Sequence, residues 1–369
     1  MNIALVVPGG VDRSGEYRVI PALLALIKRL SLHNVVHVFA LGQEPQPGSW
    51  DLAGARIHNI GVGNTRLRAV RAICAQHRLS PFQIVHAIWS GPPGLVAVTA
   101  AKFLRIASLV HIAGGELVRI PEIDYGGGLS WRGRIREAVV LRAATTVTSA
   151  SSPIIETLSR LGIVARRVPL GVDLGIWPPR APRRRDLHGP ARLIHAASLN
   201  RVKDQRTLLR ALACLADAGV DFSMDVVGED TLHGEIQTLA AQLQLSARVR
   251  FHGFLTQSRL RPLVEAADLM IHSSRHETGP LVMLEAAVAG VPTVGTAVGH
   301  IAEWSPDAAR SVAVGDWAGL AKAIEDLLGD DDLRLRIAKE AFQRATKQDA
   351  DQTAARFAEL YANAIASRR

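Results

Sequence analysis

Short runs of apolar and β-branched residues recur along this chain, and a segment of helical period follows most of them. "IALVVP", "NVVHVFAL", "FQIVHAIW", "SLVHIAG" and "TTVTSA" form a first series, with "YRVIPALLALIKRL" and "PPGLVAVTAAKFLR" among the intervening helical patterns. A second series begins near Ala191 with "ARLIHAAS", "DFSMDVVG", "RVRFHGF", "DLMIHSS" and "VPTVGT". Runs that are apolar throughout fit parallel strands covered on both faces by helices. Between the two series lies "VPLGVDLGIWPPRAPRRRDLHGP", rich in Pro, Gly and Arg, which reads as a linker. The expected fold is therefore α/β, with two doubly wound, Rossmann-like parallel-sheet domains facing each other across a cleft. The expected boundaries are 1–172 for the first domain, 173–190 for the linker and 191–350 for the second domain. A C-terminal helix over 351–369 is expected to pack back toward the first domain.

Composition removes several classes of function. The 369 residues suit two domains of ordinary size, and 48% hydrophobic with 21% charged residues describes a folded chain. Aromatics at 5% are too sparse for a platform that stacks single-stranded bases, and no recognition motif accompanies the charge, so no nucleic-acid partner is expected. Cys74 and Cys214 lie far apart with no metal-ligand spacing, which suggests reduced thiols and a cytoplasmic setting. The apolar start is cut short by Pro8, Gly9 and Gly10, unlike a secretory signal. Apolar stretches long enough to span a bilayer are interrupted by Lys102 and Arg105, or by Glu285, Gly290 and Pro292.

The formal net charge of +9 is unevenly spread. Residues 1–180 hold 20 Lys and Arg against 10 Asp and Glu, while the remainder holds 23 against 24. A basic first half suits an anionic partner such as a phosphorylated substrate or a membrane surface, although a solvated Arg-rich exterior gives the same count. "TRLRAVRAICAQHRL" and "WRGRIREAVVLR" place arginines beside apolar faces, which admits peripheral contact with an anionic membrane at its inner face. A core-packed helix with a basic edge is the commoner meaning of such a pattern.

Ligands of doubly wound sheets bind beyond the carboxyl ends of the strands, so the strand-to-helix loops are where chemistry is sought. In "SSRHETGPLVMLEAAVAGVPTV" two glutamates, Glu277 and Glu285, flank an apolar run, and buried carboxylates are costly unless they are paired. Pro280 is placed as a first helical residue, with Thr278 or Gly279 as cap. The first amides, around Leu281 and Val282, then form a site for a phosphate. Glu285, about a turn and a half further on, can accept two hydroxyl hydrogen bonds, as a ribose diol requires. Arg201 and Lys203 sit on the connection after the strand near His195, where they can neutralise a diphosphate. Gly9 and Gly10 follow the first strand and permit close backbone approach, yet the G-x-G-x-x-G spacing of a nicotinamide or flavin site is missing. "HIAGGEL" repeats the theme with Gly114, Gly115 and Glu116. The histidines show no paired metal-ligand spacing, so no metal or cofactor is expected.

Taken together these loops resemble glycosyltransferase family 4, retaining sugar transferases of the GT-B fold, over nearly the whole chain. The most specific part is "ETGPLVMLE", with "LGVDLGIWPP", "SLNRVKDQRTLLRA", "VVGED", "VRFHGFL" and "GGVDR" in family order. The resemblance implies a metal-independent, retaining transfer of a sugar from a nucleotide-diphosphate sugar to a hydroxyl of a glycan or lipid-linked acceptor. It makes Lys203, Arg201 and Glu277 the catalytic set. Donor contacts would come from Gly9, Gly10, Lys203, Gly228, Gly253, Phe254, Leu255, Thr278, Gly279, Leu281, Val282 and Glu285. Acceptor-side contacts would come from His111, Gly114, Gly115 and Glu116. Two departures stand out: the family's loop arginine is Ser198, and a histidine common in the family is Ala113, for which His111 on the same strand face is the expected substitute. Two rivals share the architecture, a nucleotide-sugar epimerase and a catalytically silent partner of another transferase.

Overall fold

The computed structural model describes residues 1–367, which form two units. Unit 1 comprises Met1–Gly171 and the chain from Ala350 onward, and unit 2 comprises Val172–Asp349.

Unit 1 is built on eight strands: β1 (Asn2–Val7), β2 (Val35–Ala40), β3 (Gly48–Leu52), β4 (Ala55–Asn59), β5 (Ile84–Ile88), β6 (Ala107–Ile112), β7 (Thr146–Ser149) and β8 (Ala165–Arg167). Their order across the sheet is β3-β4-β2-β1-β5-β6-β7-β8, parallel except for the β3–β4 hairpin. The helices are α1 (Pro21–Ser31), α2 (Thr65–Leu79), α3 (Pro92–Leu104), α4 (Trp131–Ala143) and α5 (Ser152–Arg160). Central strands β5 and β6 are buried at every position, which is why they read as mainly apolar runs, with His86, Ser108 and His111 the polar residues among them. The hairpin was not anticipated. It is short, its burial alternates, and its two-residue turn at Ala53 and Gly54, both at positive φ, carries no Asn-Gly signal.

Unit 2 has six parallel strands: β9 (Ala191–Ala196), β10 (Phe222–Val227), β11 (Val249–Gly253), β12 (Leu269–His272), β13 (Thr293–Thr296) and β14 (Arg310–Val312). Their order is β11-β10-β9-β12-β13-β14, the doubly wound 3-2-1-4-5-6 arrangement. Helices α6 (Gln205–Asp217), α7 (Glu235–Gln242), α8 (Gln257–Ala266), α9 (Leu281–Val288), α10 (Gly299–Trp304), α11 (Trp317–Gly329) and α12 (Asp331–Lys347) accompany them. Asp204 caps α6 and Asp330 caps α12 through their side chains, each ending a loop at a defined residue. Residues 173–190, expected as a linker, contain no helix or strand and belong to unit 2.

The last helix, α13 (Ala350–Ala366), returns to unit 1 and completes its core with Phe357, Leu360, Tyr361 and Ala364. Thr353 ties its start to the preceding chain, donating to the Pro169 carbonyl at 2.8 Å and accepting from Gly171 N–H at 2.9 Å. The Tyr361 hydroxyl lies 2.7 Å from His86 Nδ1 on β5, and burial holds that ring far below the usual imidazole range, so the pair is a bond between neutral groups.

Candidate functional site

In unit 2 the strand order reverses between β9 and β12, and the two loops leaving those strands lie side by side. Cross-loop bonds fix them: Arg275 N–H donates to the Val202 carbonyl at 2.7 Å, Ser273 Oγ to the Lys203 carbonyl at 2.8 Å, and Arg275 Nε to Asp204 at 3.1 Å. This brings Lys203 from one loop against Glu277 from the other, where the Lys203 ammonium pairs with Oε1 of Glu277. The same oxygen accepts from Ser274 Oγ at 2.7 Å and His272 Nε2 at 3.0 Å. A carboxylate only accepts, so the His272 proton sits on Nε2. Burial alone would raise the Glu277 carboxyl, but the Lys203 charge and the His272 hydrogen bond outweigh it and hold the group well below the usual carboxylate range. Behind His272, His195 bonds the Ile271 carbonyl through Nδ1 at 2.9 Å and meets Gln205 at 3.1 Å; burial pushes it down to about 3, so it stays neutral.

Glu285 lies on α9, 4% exposed, in the opposite situation. Among the described residues its one hydrogen bond is from Gln257 Nε2 to Oε1 at 3.3 Å, and no cation pairs with it. Burial therefore pushes its carboxyl up to about 7, with Gln257 opposing. Pro280 is itself the N-cap of α9, one position later than the sequence suggested, and the helix opens at Leu281 without a side-chain cap. The first-turn amides of Leu281 and Val282 thus stand at the mouth of the loop that carries Glu277.

The remaining expected donor residues are placed as follows. Arg201 is exposed, with no ion-pair partner among the described residues. Gly228 sits at φ 153, where a Cβ would lie 2.0 Å from the Ala197 carbonyl, so only glycine permits β10 to close on the β9 loop. Its N–H donates to the Gly253 carbonyl at 2.9 Å. Phe254 is half exposed and Leu255 half-buried beside it, Thr278 is buried, and Gly279 is half-buried before Pro280.

In unit 1 three expectations meet a different geometry. Gly10 N–H, meant for a phosphate, already donates to Gln43 Oε1 at 2.7 Å, leaving Gly9 beside the same side chain. His111 does not face the "GGEL" loop. It is fully buried against Phe357 of α13 and meets Thr148 at 2.9 Å, because position 111 lies inside β6 and not at its end. Glu116 folds back on its own loop, where Oε2 accepts from Gly114 N–H at 2.7 Å and Oε1 from Ser90 N–H at 3.2 Å. Burial raises its carboxyl, and the backbone N–H groups of Glu116 itself, Ser90 and Ala113 oppose the rise. Gly115 packs against Tyr125. An open cavity of about 680 Å³ lies at the carboxyl ends of β1 and β2, bounded by Pro8, Gly42, Pro92 and the start of α2, with Arg66 as its charged wall. Among the described residues no cluster of three His, Cys, Asp or Glu is placed to hold a metal ion, and no helix is long and apolar enough to cross a membrane.

Two family models account for most of the chain: a glycosyl transferase 4-like domain over residues 18–172 and glycosyl transferases group 1 over residues 182–344. The chain belongs to the family 4-like glycosyltransferases of the GT-B fold. Among relatives of this glycosyltransferase, glycogen synthase of Mycobacterium tuberculosis is 33% identical over 187 residues, which is 50% of this chain and 45% of the relative. The match thus spans about half the length of that curated relative. Sucrose-phosphate synthase from Thermosynechococcus elongatus shares the fold at a TM-score of 0.82 and 19% identity, covering 100% of both chains. HepE from Anabaena, solved in complex with UDP-glucose, shares it at 0.76 and 19%, covering 98% of this chain and 100% of the other.

Sequence reasoning missed His272, Ser274, Gln257 and Trp177 around the two glutamates of this glycosyltransferase. Ser274 and His272 were within reach, being three and five residues before Glu277 on the strand end. Gln257 meets Glu285, and Trp177 meets Gln257, only in three dimensions, and no spacing rule connects them.

Proposed function

We propose that this glycosyltransferase moves a sugar from a nucleotide-diphosphate donor to a hydroxyl of a glycan or lipid-linked acceptor, with retention of anomeric configuration and without a metal ion. The observation that carries the reading is the contrast at the switch point of unit 2. Glu277 is held ionised against Lys203, while Glu285 is buried and has, among the described residues, one carboxylate oxygen without a hydrogen-bond partner. Lys203 and Arg201, with the amides of Leu281 and Val282, would stabilise the leaving diphosphate, the preorganised electrostatic role that dominates such reactions. Glu285 would accept the ribose hydroxyls, and the Oε2 of Glu277 those of the donor sugar. As the bond from C1 to the diphosphate oxygen breaks, the acceptor oxygen would bond to C1 on the same face and pass its proton to a donor phosphate oxygen. No protein nucleophile is required. The cavity beside Arg66, in the basic unit, is the natural place for the acceptor. HepE, solved with UDP-glucose, makes UDP-sugars the first donors to test.

The test is product analysis by NMR with UDP-, GDP- and ADP-sugars, an acceptor panel and a chelator. An α-linked product from an α-donor, formed at unchanged rate with chelator, supports the proposal. An inverted product contradicts it. Altered nucleotide sugar without acceptor would favour an epimerase. The occupied oxygens of Glu116 and the residue Ala113 give the silent-partner reading its one support, and nucleotide binding without turnover on any acceptor would favour it.

A further inference from the structure

The hydrogen bond that Glu285 receives comes from an amide whose orientation is not free. Gln257 is the first residue of α8, and its Oε1 accepts from Trp177 Nε1 at 2.6 Å. An indole N–H can only donate, so it must face the amide oxygen, and the amide NH2 is left to face Glu285 at 3.3 Å. The reversed amide would set two donors against each other and an oxygen against the carboxylate. Trp177 cannot turn to accommodate that. It is 2% exposed, packed in the core that contains Val264 and Met283, and its backbone N–H closes a turn onto the Asp173 carbonyl at 2.9 Å. Arg261 pins the same turn, donating to the Ile176 carbonyl at 2.8 Å.

We infer that Gln257 is a positioning residue for the nucleotide, locked by Trp177 so that its NH2 holds Oε1 of Glu285 and leaves Oε2 free for the ligand's vicinal hydroxyls. The inference rests on the ribose role of Glu285 proposed above. An ionised carboxylate oxygen has two lone pairs, so Oε2, with Oε1 held by Gln257, can accept from both hydroxyls of a vicinal diol. In an apolar setting a lone carboxylate takes up a proton instead, and a protonated carboxyl has one acceptor fewer. The Gln257 donor opposes that protonation and fixes the plane of the group at once. It also couples the ribose site to the Gly253–Leu255 loop, which leads directly into α8.

The experiment is calorimetric titration of the full chain with UDP, GDP and ADP and with their 2′-deoxy counterparts, from pH 6 to 9. It compares wild type, Gln257→Leu, Gln257→Glu and Trp177→Phe. Gln257→Leu is expected to bind the ribonucleotide about tenfold more weakly at pH 7.5, the scale of one hydrogen bond to a charged group, and the 2′-deoxy form without further loss. The pH at which ribonucleotide affinity falls off moves upward. Trp177→Phe moves both readouts the same way by less, and Gln257→Glu, which sets a second carboxylate beside Glu285, by more. Equal losses for ribo and deoxy forms, or an unmoved pH profile, would overturn the positioning role, as a merely structural contact predicts them. Wild type that fails to distinguish ribo from deoxy forms would instead overturn the ribose role itself. Thermal unfolding checks each variant, and Trp177→Phe, which keeps the packed ring, carries the test if Gln257→Leu does not fold.

Discussion

Glu277 and Glu285 are two carboxylates on one strand–loop–helix segment, driven in opposite directions by what surrounds them. Such divergence marks groups with different tasks. For Glu285, with its carboxyl raised by burial to about 7, the native state holds a proton that the unfolded chain has released between about pH 4.5 and 7. Stability contributed by this site therefore falls as pH rises through that window. Glu285→Gln should melt higher than wild type at pH 8, by on the order of 2 kcal/mol, with the gain fading toward pH 5. Equal melting differences at both pH values would contradict the burial account. Glu277 works with the reverse sign, staying ionised in the native state down to strongly acid pH. Lys203→Ala should strand that carboxylate and destabilise the chain by about 3 kcal/mol. Adding Glu277→Gln should restore part of the loss, and denaturant unfolding of the four chains of this cycle measures it.

At the scale of elements, what was legible in the sequence follows burial. β5, β6, β12 and β13 are buried at every position, so apart from a few buried polar groups such as His86, His111 and His272 their residues are apolar or small, and their places could be read. The β3–β4 hairpin at the sheet edge and the three-residue β8 and β14 carry too few buried positions to stand out. Lys203 and Glu277 could be placed on loops because strand–helix alternation fixes where loops fall. Their coupling through Arg275, Ser273 and Asp204, like the seating of Gln257, depends on contacts between elements that periodicity does not encode. His111 shows the converse error, since a position on the correct strand face was buried by a helix arriving from the far end of the chain. That helix, α13, is integral to unit 1. Phe357→Ala, which removes a fully buried ring, should cost 3–5 kcal/mol, an order-of-magnitude expectation for such cavities. Tyr361→Phe, which leaves His86 Nδ1 unpaired, should cost about 1–3 kcal/mol. Chemical denaturation measures both, and an unchanged midpoint for either would contradict the packing described for α13.

At the scale of the whole molecule the two units differ in how the chain builds them. Unit 2 is continuous from Val172 to Asp349 and holds its own two hydrophobic cores, whereas unit 1 needs α13 from beyond unit 2. Residues 172–349 expressed alone should therefore unfold cooperatively, and residues 1–171 alone should not. The central claim is that Lys203, Glu277 and Glu285 form a nucleotide-diphosphate site, and it is tested most directly by thermal shift of the full chain against UDP, GDP, ADP and TDP. One of them, at a hundred times its Kd, should stabilise wild type by about 2.7 kcal/mol and leave Lys203→Ala and Glu285→Ala nearly unshifted. No shift with any nucleotide, or the same shift in wild type and both variants, would contradict the account.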